Sequence, residues 1–248
     1  MTQPTTRLKK FWATMFGYSI EEMARPGFFV TASGYYIERN EENLIFFWTD
    51  RINKKRILAA SEANLARLQG MLSTADLQKL DAKSIRQAPF FKDIHLTFQD
   101  FDLGFTHPAE FTPADIGKLS IRPLHGSEKT ELELFYSDCT EKDQDTLDLT
   151  FEAKDFALGL YNDGRLAAIS RYAPIRETGL ADVTVLVRNG ERRLGFSTPL
   201  VSEIIKHALS AGYEIKYRVE ETNQASIAIA LRLGLKPLSH LLTWDVSQ

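Results

Sequence analysis

The sequence predicts an α+β (α/β-like) fold, and three observations carry that prediction. The first part of the chain is rich in aromatic and β-branched runs broken by Gly, Asn and Asp. Two later runs flank Asn162-Asp-Gly164, a hairpin signal because these residues tolerate positive φ. From Asp182 onward, strand-like and amphipathic helical segments alternate.

In chain order, Gly27-Phe-Phe-Val-Thr31, Tyr35-Tyr-Ile-Glu38, Leu44-Ile-Phe-Phe-Trp48 and Arg56-Ile-Leu-Ala-Ala60 read as a small antiparallel sheet. The 3-4 spacing of Leu65, Leu68, Met71 and Leu72 predicts a helix capped by Ser61, with Glu62 in its first turn. Ser73 or Thr74 caps a second, shorter one. Two prolines within Thr106-His-Pro-Ala-Glu-Phe-Thr-Pro-Ala114 mark a boundary, with the linker near 107–117. The expected domains are therefore 1–116 and 117–248.

The second region opens with the short strand Leu119–Leu124, followed by helical sequence around Glu128 to Tyr136. The hairpin pairs Phe156–Tyr161 with Leu166–Tyr172. Leu180 to Val187 is the next strand. Leu200, Val201, Ile204, Ile205, Ala208 and Leu209 then line one helix face, with Ser197 or Thr198 as N-cap, Pro199 early and Gly212 past the end. Tyr213–Val219 is a strand, Asn223–Leu233 a capped helix ending at Gly234, and Leu238–Val246 a closing strand.

A chain of 248 residues with 44% hydrophobic and 25% charged content has ordinary globular composition. The single cysteine, Cys139, excludes an internal disulfide and a cysteine metal cluster, and the five histidines show no metal-ligand spacing. No metal is expected. A net charge of -3 with interspersed signs argues against general nucleic-acid binding. The polar N-terminus and the lack of a run of about 20 apolar residues point to a protein without a membrane span and located in the cytoplasm.

One segment carries chemistry. Strand 182–187 runs through Arg188-Asn-Gly-Glu-Arg-Arg-Leu-Gly-Phe-Ser197 onto a helix N-terminus. Unpartnered first-turn N–H groups and the positive end of the helix dipole attract an anion there. Gly195 lets a phosphate approach the backbone, and Arg188, Arg192 and Arg193 add charge. A solvated basic turn that only reverses the chain has the same composition.

Four features in order resemble the GNAT superfamily of acyl-CoA-dependent N-acyltransferases, over about half of the chain. They are Ile121-Arg-Pro-Leu124; Arg192-Arg-Leu-Gly195-Phe-Ser197, matching R/Q-x-x-G-x-G/A; Asn223-x-x-Ser226; and Leu233-Gly234-Leu235. The whole chain also looks like bacterial two-domain members. The resemblance implies a GNAT fold with a mixed central sheet in the C-terminal half and a smaller N-terminal α+β domain.

It further implies that Arg192, Arg193, Leu194, Gly195, Phe196, Ser197 and Thr198 wrap the pyrophosphate of acetyl-CoA, the cosubstrate. Val185 and Val187 would hydrogen-bond the pantetheine arm, and the backbone near Leu186 and Val187 would receive the oxyanion. Asn223 and Ser226 lie where the family contacts the pantetheine or thiol end, although both also suit a helix N-cap and first turn.

Acyl transfer to an amine needs a base and a proton for the leaving thiolate. Asp182, Thr184, Glu220 and Glu221 are candidate bases, Glu221 and Asp182 foremost. Many relatives carry a Tyr acid where this chain has Ala230, so the proton would come from water or Ser226, or the thiolate leaves unassisted. Arg193 replaces a usual glycine and Ser197 a last small one.

Asp138, Glu141, Asp143, Asp145, Asp148, Glu152 and Asp155 would border the acceptor, favouring a cationic amine, unless they form a solvated face. The implied activity is N-acetylation of a primary amine in a small molecule or protein, by direct attack in a ternary complex. A catalytically weak acyl-CoA-binding module for regulation or assembly is the alternative.

Overall fold

The computed structural model describes residues 6–32, 43–71, 73, 76, 78–124, 129–140, 143, 156–175 and 177–247. The expected strand at Tyr35–Glu38 and the cap at Thr74 lie outside them. The fold is mixed α+β and divides into two compact units, 1–103 with 218–223 and 237–248, and 104–217 with 224–236.

In the first unit, strands β1 (Gly27–Ala32), β2 (Leu44–Asp50), β3 (Lys55–Ala60), β4 (His95–Gly104) and β10 (Lys236–Asp245) run in the order β1-β3-β2-β10-β4. The β1–β3 pair is parallel, whereas β2 is antiparallel to both β3 and β10. The expected all-antiparallel sheet is thus corrected to a mixed one, because alternation fixes which residues face the core but not strand direction. Ile45, Phe47, Leu242 and Trp244 share one buried face and pack on Leu68, Ile85, Phe90 and Phe91. Trp48 faces the opposite way, toward Trp12 and Phe16 of helix α1 (Thr6–Phe16). The helix α2 (Ile20–Ala24) follows with a reciprocal cap between Ser19 and Glu22. Helix α3 (Glu62–Met71) starts after Ser61, whose carbonyl accepts from Leu65 N–H.

The second unit is built on β5 (Ser120–Pro123), β6 (Phe156–Asn162), β7 (Arg165–Ile175), β8 (Leu180–Val187) and β9 (Glu214–Glu220), ordered β9-β8-β7-β6-β5. Asp163 and Gly164 take φ of +50 and +76 at the β6–β7 turn, so the hairpin forms where turn chemistry predicts it. Helix α4 (Lys129–Ser137) packs Leu132 and Phe135 against Leu166 and Ile169. Helix α5 (Ser197–Ser210) buries Leu200, Val201, Ile204, Ile205 and Ala208, and α6 (Gln224–Arg232) follows β9. No described helix is long and apolar enough to cross a membrane.

Residues 106–114 pack within the second unit. Glu110 accepts from Thr106 N–H at 2.9 Å, from the Thr106 hydroxyl at 2.7 Å and from Lys236 Nζ at 2.5 Å. Thr112 N–H donates to Leu233 O, and Ala114 N–H to Ser202 Oγ. Gly234, at φ +92, lies so close to this segment that a Cβ there would sit 2.0 Å from the Glu110 carbonyl oxygen.

Candidate functional site

The β8–β9 pair is parallel and its register runs only from Leu180↔Glu214 to Asp182↔Lys216. Beyond Asp182 the strand keeps its β7 partner but has no β9 partner. Arg188 N–H donates to Ala167 O, and β7 and β8 are antiparallel. Backbone groups alternate in direction along a strand, so Leu186 and Thr184 also face β7 while Val183, Val185 and Val187 turn theirs away from it. Val185 and Val187 therefore supply the outward backbone donors and acceptors; Leu186 is buried and directs its N–H to β7.

The chain leaves β8 through a 3-10 turn at Asn189–Glu191 and enters α5. Arg193 and Gly195 adopt φ of +70 and +85. Left-handed backbone at a non-glycine residue costs about 1–3 kcal/mol and persists where surroundings impose it. Nothing lies within 4 Å of a Cβ built on Gly195, which leaves an open cradle. Helix α5 begins at Ser197 after Phe196, and no side chain caps it. This corrects the expected Ser197 or Thr198 cap: both residues are inside the first turn, with N–H groups that have no intrahelical partner.

Arg192 is about half exposed; its Nε donates to Val187 O at 3.2 Å and its guanidinium pairs with Asp143 at 2.6 Å. Burial pushes the Asp143 carboxyl up, but hydrogen bonds from Thr140 and Arg192 together outweigh it and hold the group below its usual range. Arg188 is a correction to the basic-turn reading. It is buried, donates from Nε to Leu166 O, and pairs with Asp138, its guanidinium 5.4 Å from the Phe135 ring centre. Its role is to anchor the base of the turn. Asp138 also pairs with Arg165, so Asp138 and Asp143 are engaged with arginines; Glu141, Asp145, Asp148, Glu152 and Asp155 lie outside the described residues.

Asp182 and Ser226 are brought to one side chain. Tyr217, buried on β9, hydrogen-bonds Ser226 and lies in the field of Asp182, and burial raises its phenol above the ordinary value, with the carboxylate adding to the effect. Sequence reading missed Tyr217; its signal was an aromatic at an inward position of β9. Ala230 is fully buried in α6.

Glu221 lies in the first unit. Its Oε2 is 2.5 Å from Arg86 Nη2 and 3.7 Å from His240 Nε2. With them it lines a cavity of about 660 Å³. The floor comes from the sheet face that carries Ile45, Phe47, Leu242 and Trp244. Two residues further along, that face changes to the directly paired Thr49 and His240. Phe101 of β4 packs its ring 4.6 Å from the His240 ring, and Arg51 lies 5.8 Å from the Phe101 ring centre. Asp81, Lys83 and Arg86 form a wall. Burial lowers the His240 pKa, aided by Arg86 and Arg51 and opposed by Glu221, so the imidazole is neutral near pH 7.

Three lining residues carry a buried polar atom without a hydrogen-bond partner: Thr49 Oγ1, Arg86 Nε and His240 Nε2. Each such atom costs about 1–3 kcal/mol. Thr49, Arg86 and His240 had no sequence signal as a site, since they come together only through the sheet register and the fold of 81–87. No group of three metal-ligating side chains occurs among the described residues.

Residues 121–235 match the profile of the acetyltransferase (GNAT) family. Comparison with curated proteins gives no match. Among solved structures, the chain is similar to a GCN5-related N-acetyltransferase from Kribbella flavida, at 16% identity over 62% of this chain and 60% of that one, TM-score 0.48. A putative GNAT-family acetyltransferase from Novosphingobium aromaticivorans gives 18% identity, 61% and 66% coverage, and TM-score 0.48. A GNAT-family acetyltransferase from Colwellia psychrerythraea gives 13% identity, 83% and 82% coverage, and TM-score 0.49. The chain thus spans less than two thirds of the length of the first two.

Proposed function

We propose that the chain, whose residues 121–235 match the profile of the acetyltransferase (GNAT) family, is an acetyl-CoA-dependent N-acetyltransferase acting on a primary amine. The supporting observation is the end of β8–β9 pairing at Asp182, which leaves outward backbone groups leading into an uncapped helix N-terminus. Acyl-CoA, when bound, supplies a thioester whose acyl carbon is open to attack by a neutral amine.

Val185 and Val187 would hold the pantetheine amides through backbone bonds, as an added strand is held. Arg193, Leu194, Gly195, Phe196, Ser197 and Thr198 would receive the pyrophosphate on N–H groups, with Arg192 adding charge. Val187 N–H would stabilise negative charge developing on the acyl oxygen. Asp182, at the last paired position of β8, takes the amine proton. Ser226, hydrogen-bonded to Tyr217, returns a proton to the leaving sulfur in place of the missing phenol at Ala230. Asn223, just before α6, completes the cofactor contacts. A cytoplasmic setting fits the lone, buried Cys139.

The test has two stages. Acetyl-CoA at 100 times its dissociation constant should stabilise the chain by about 2.7 kcal/mol, and no thermal shift at saturation would sink the proposal. CoA thiol release is then followed with a panel of amines. Asp182→Asn should lower kcat by roughly 100-fold or more. Ala230 favours a second reading, a binding module with weak catalysis, which predicts the thermal shift without thiol release from any amine.

A further inference from the structure

The cavity of the first unit has a lining that its own packing leaves unexplained. Its floor interrupts an apolar sheet face with a paired Thr49 and His240, and three of its residues hold buried polar atoms without partners. In a packed core such groups are normally satisfied, and their gathering around one cavity is what a bound polar molecule would explain.

The lining defines the chemistry. Among the described residues, Arg51 and Lys83 have no ion-pair partner, whereas Arg86 and Glu221 pair with each other. Asp81 accepts from Lys83 N–H, Ser84 N–H and the Ser84 hydroxyl. Those donors are neutral, so Asp81 and Glu221 stand against Arg51, Lys83 and Arg86, and the lining keeps one net positive charge. Arg86 Nε can only donate, so it requires an acceptor oxygen. His240, nine-tenths buried, can take a hydrogen from a ligand donor at Nε2, and the Thr49 hydroxyl serves either way. The Phe101 ring beside His240 offers an apolar surface.

We propose that this cavity binds a small carboxylate that also carries an amine, in the manner of an α-amino acid. The carboxylate lies toward Arg51, Lys83 and Arg86, and the amine or its proton toward His240. This assignment stands apart from acyl transfer, because binding is measured on the chain alone without acyl-CoA.

Thermal shift and calorimetry with the common L-amino acids at millimolar concentration test it, with L-phenylalanine, phenethylamine and 3-phenylpropionate as a matched set and inorganic phosphate as a control. At least one amino acid should raise the melting temperature, and its amine lacking the carboxylate should not. Lys83→Gln, at an exposed position, and Arg51→Gln should each weaken that binding roughly tenfold. Thr49→Val should also weaken it while leaving the melting temperature of the free chain unchanged or higher, the reverse of what loss of a satisfied core hydroxyl gives. The proposal is overturned if no amino acid binds, if amines without a carboxylate bind equally well, if phosphate alone gives the full shift, or if Arg51→Gln and Lys83→Gln bind as the parent does. Acyl transfer would survive any of these failures.

Discussion

Gly195 holds φ +85 with open space where a Cβ would project. Replacing it with alanine therefore introduces backbone strain but no clash in the free chain, and we expect a stability loss of about 1–2 kcal/mol. The added methyl would occupy the cradle proposed for the pyrophosphate, so acetyl-CoA affinity should fall roughly tenfold or more, a loss of at least about 1.4 kcal/mol. Calorimetric titration of Gly195→Ala measures both; unchanged affinity would remove this turn from the cofactor site. At Arg193 the backbone is left-handed although the residue is not glycine. Its sequence shows a departure from the family pattern, while the structure shows that the backbone keeps the conformation a glycine would favour.

At the scale of elements, the Leu233-Gly234 turn that ends α6 is fixed by what packs on it. Thr112 donates to Leu233 O, and the Glu110 carbonyl fills the space above Gly234. Gly234→Ala combines left-handed strain with overlap against backbone, and should cost about 2–4 kcal/mol in denaturant unfolding. A loss below about 1 kcal/mol would mean that 106–112 does not bear on this turn in solution. Other elements were legible to different degrees. The β6–β7 hairpin and α5 follow from an Asn-Asp-Gly turn and a strong apolar stripe, signals that are local. By contrast, α1 and β4 escaped notice, the former because its polar start masks Trp12 and Phe16, the latter because Asp100 and Asp102 interrupt its alternation. Those two carboxylates are buried, and Asp102 is satisfied by Arg218 and Ser239, partners distant in sequence. Arg188 reads as a surface cation for the same reason: its partner Asp138 lies on another element.

For the whole chain, Glu110 and His240 contribute to the acid response in separate pH ranges. Hydrogen bonds from Lys236 and Thr106 lower the Glu110 pKa from 4.5 to about 2. A depressed carboxyl contributes stability above its unfolded value, and that contribution is lost as pH falls from 4.5 through about 2. His240 is depressed from 6.5 by burial, so the unfolded chain binds its proton more readily and stability declines as pH falls below 6.5. Unfolding midpoints should therefore drop between neutral pH and pH 5, with a further decline below 4.5, and His240→Phe should flatten the first phase. A first phase that is unchanged in this variant would assign it to another group. The cofactor turn was visible in sequence because its residues are contiguous. Thr49 and His240 lie near opposite ends of the chain, and only strand register makes them neighbours.

The loss of pairing past Asp182 also gives β8 the liability of an exposed sheet border. Val185 presents an outward amide and carbonyl and Val187 an outward amide beside β-branched side chains, the combination through which one chain templates a strand of another. Here the stretch lasts only to Val187, where the buried, ion-paired Arg188 ends the strand. A stretch this short offers few backbone groups for a long strand-to-strand seam, the kind of brevity by which sheet borders limit such pairing.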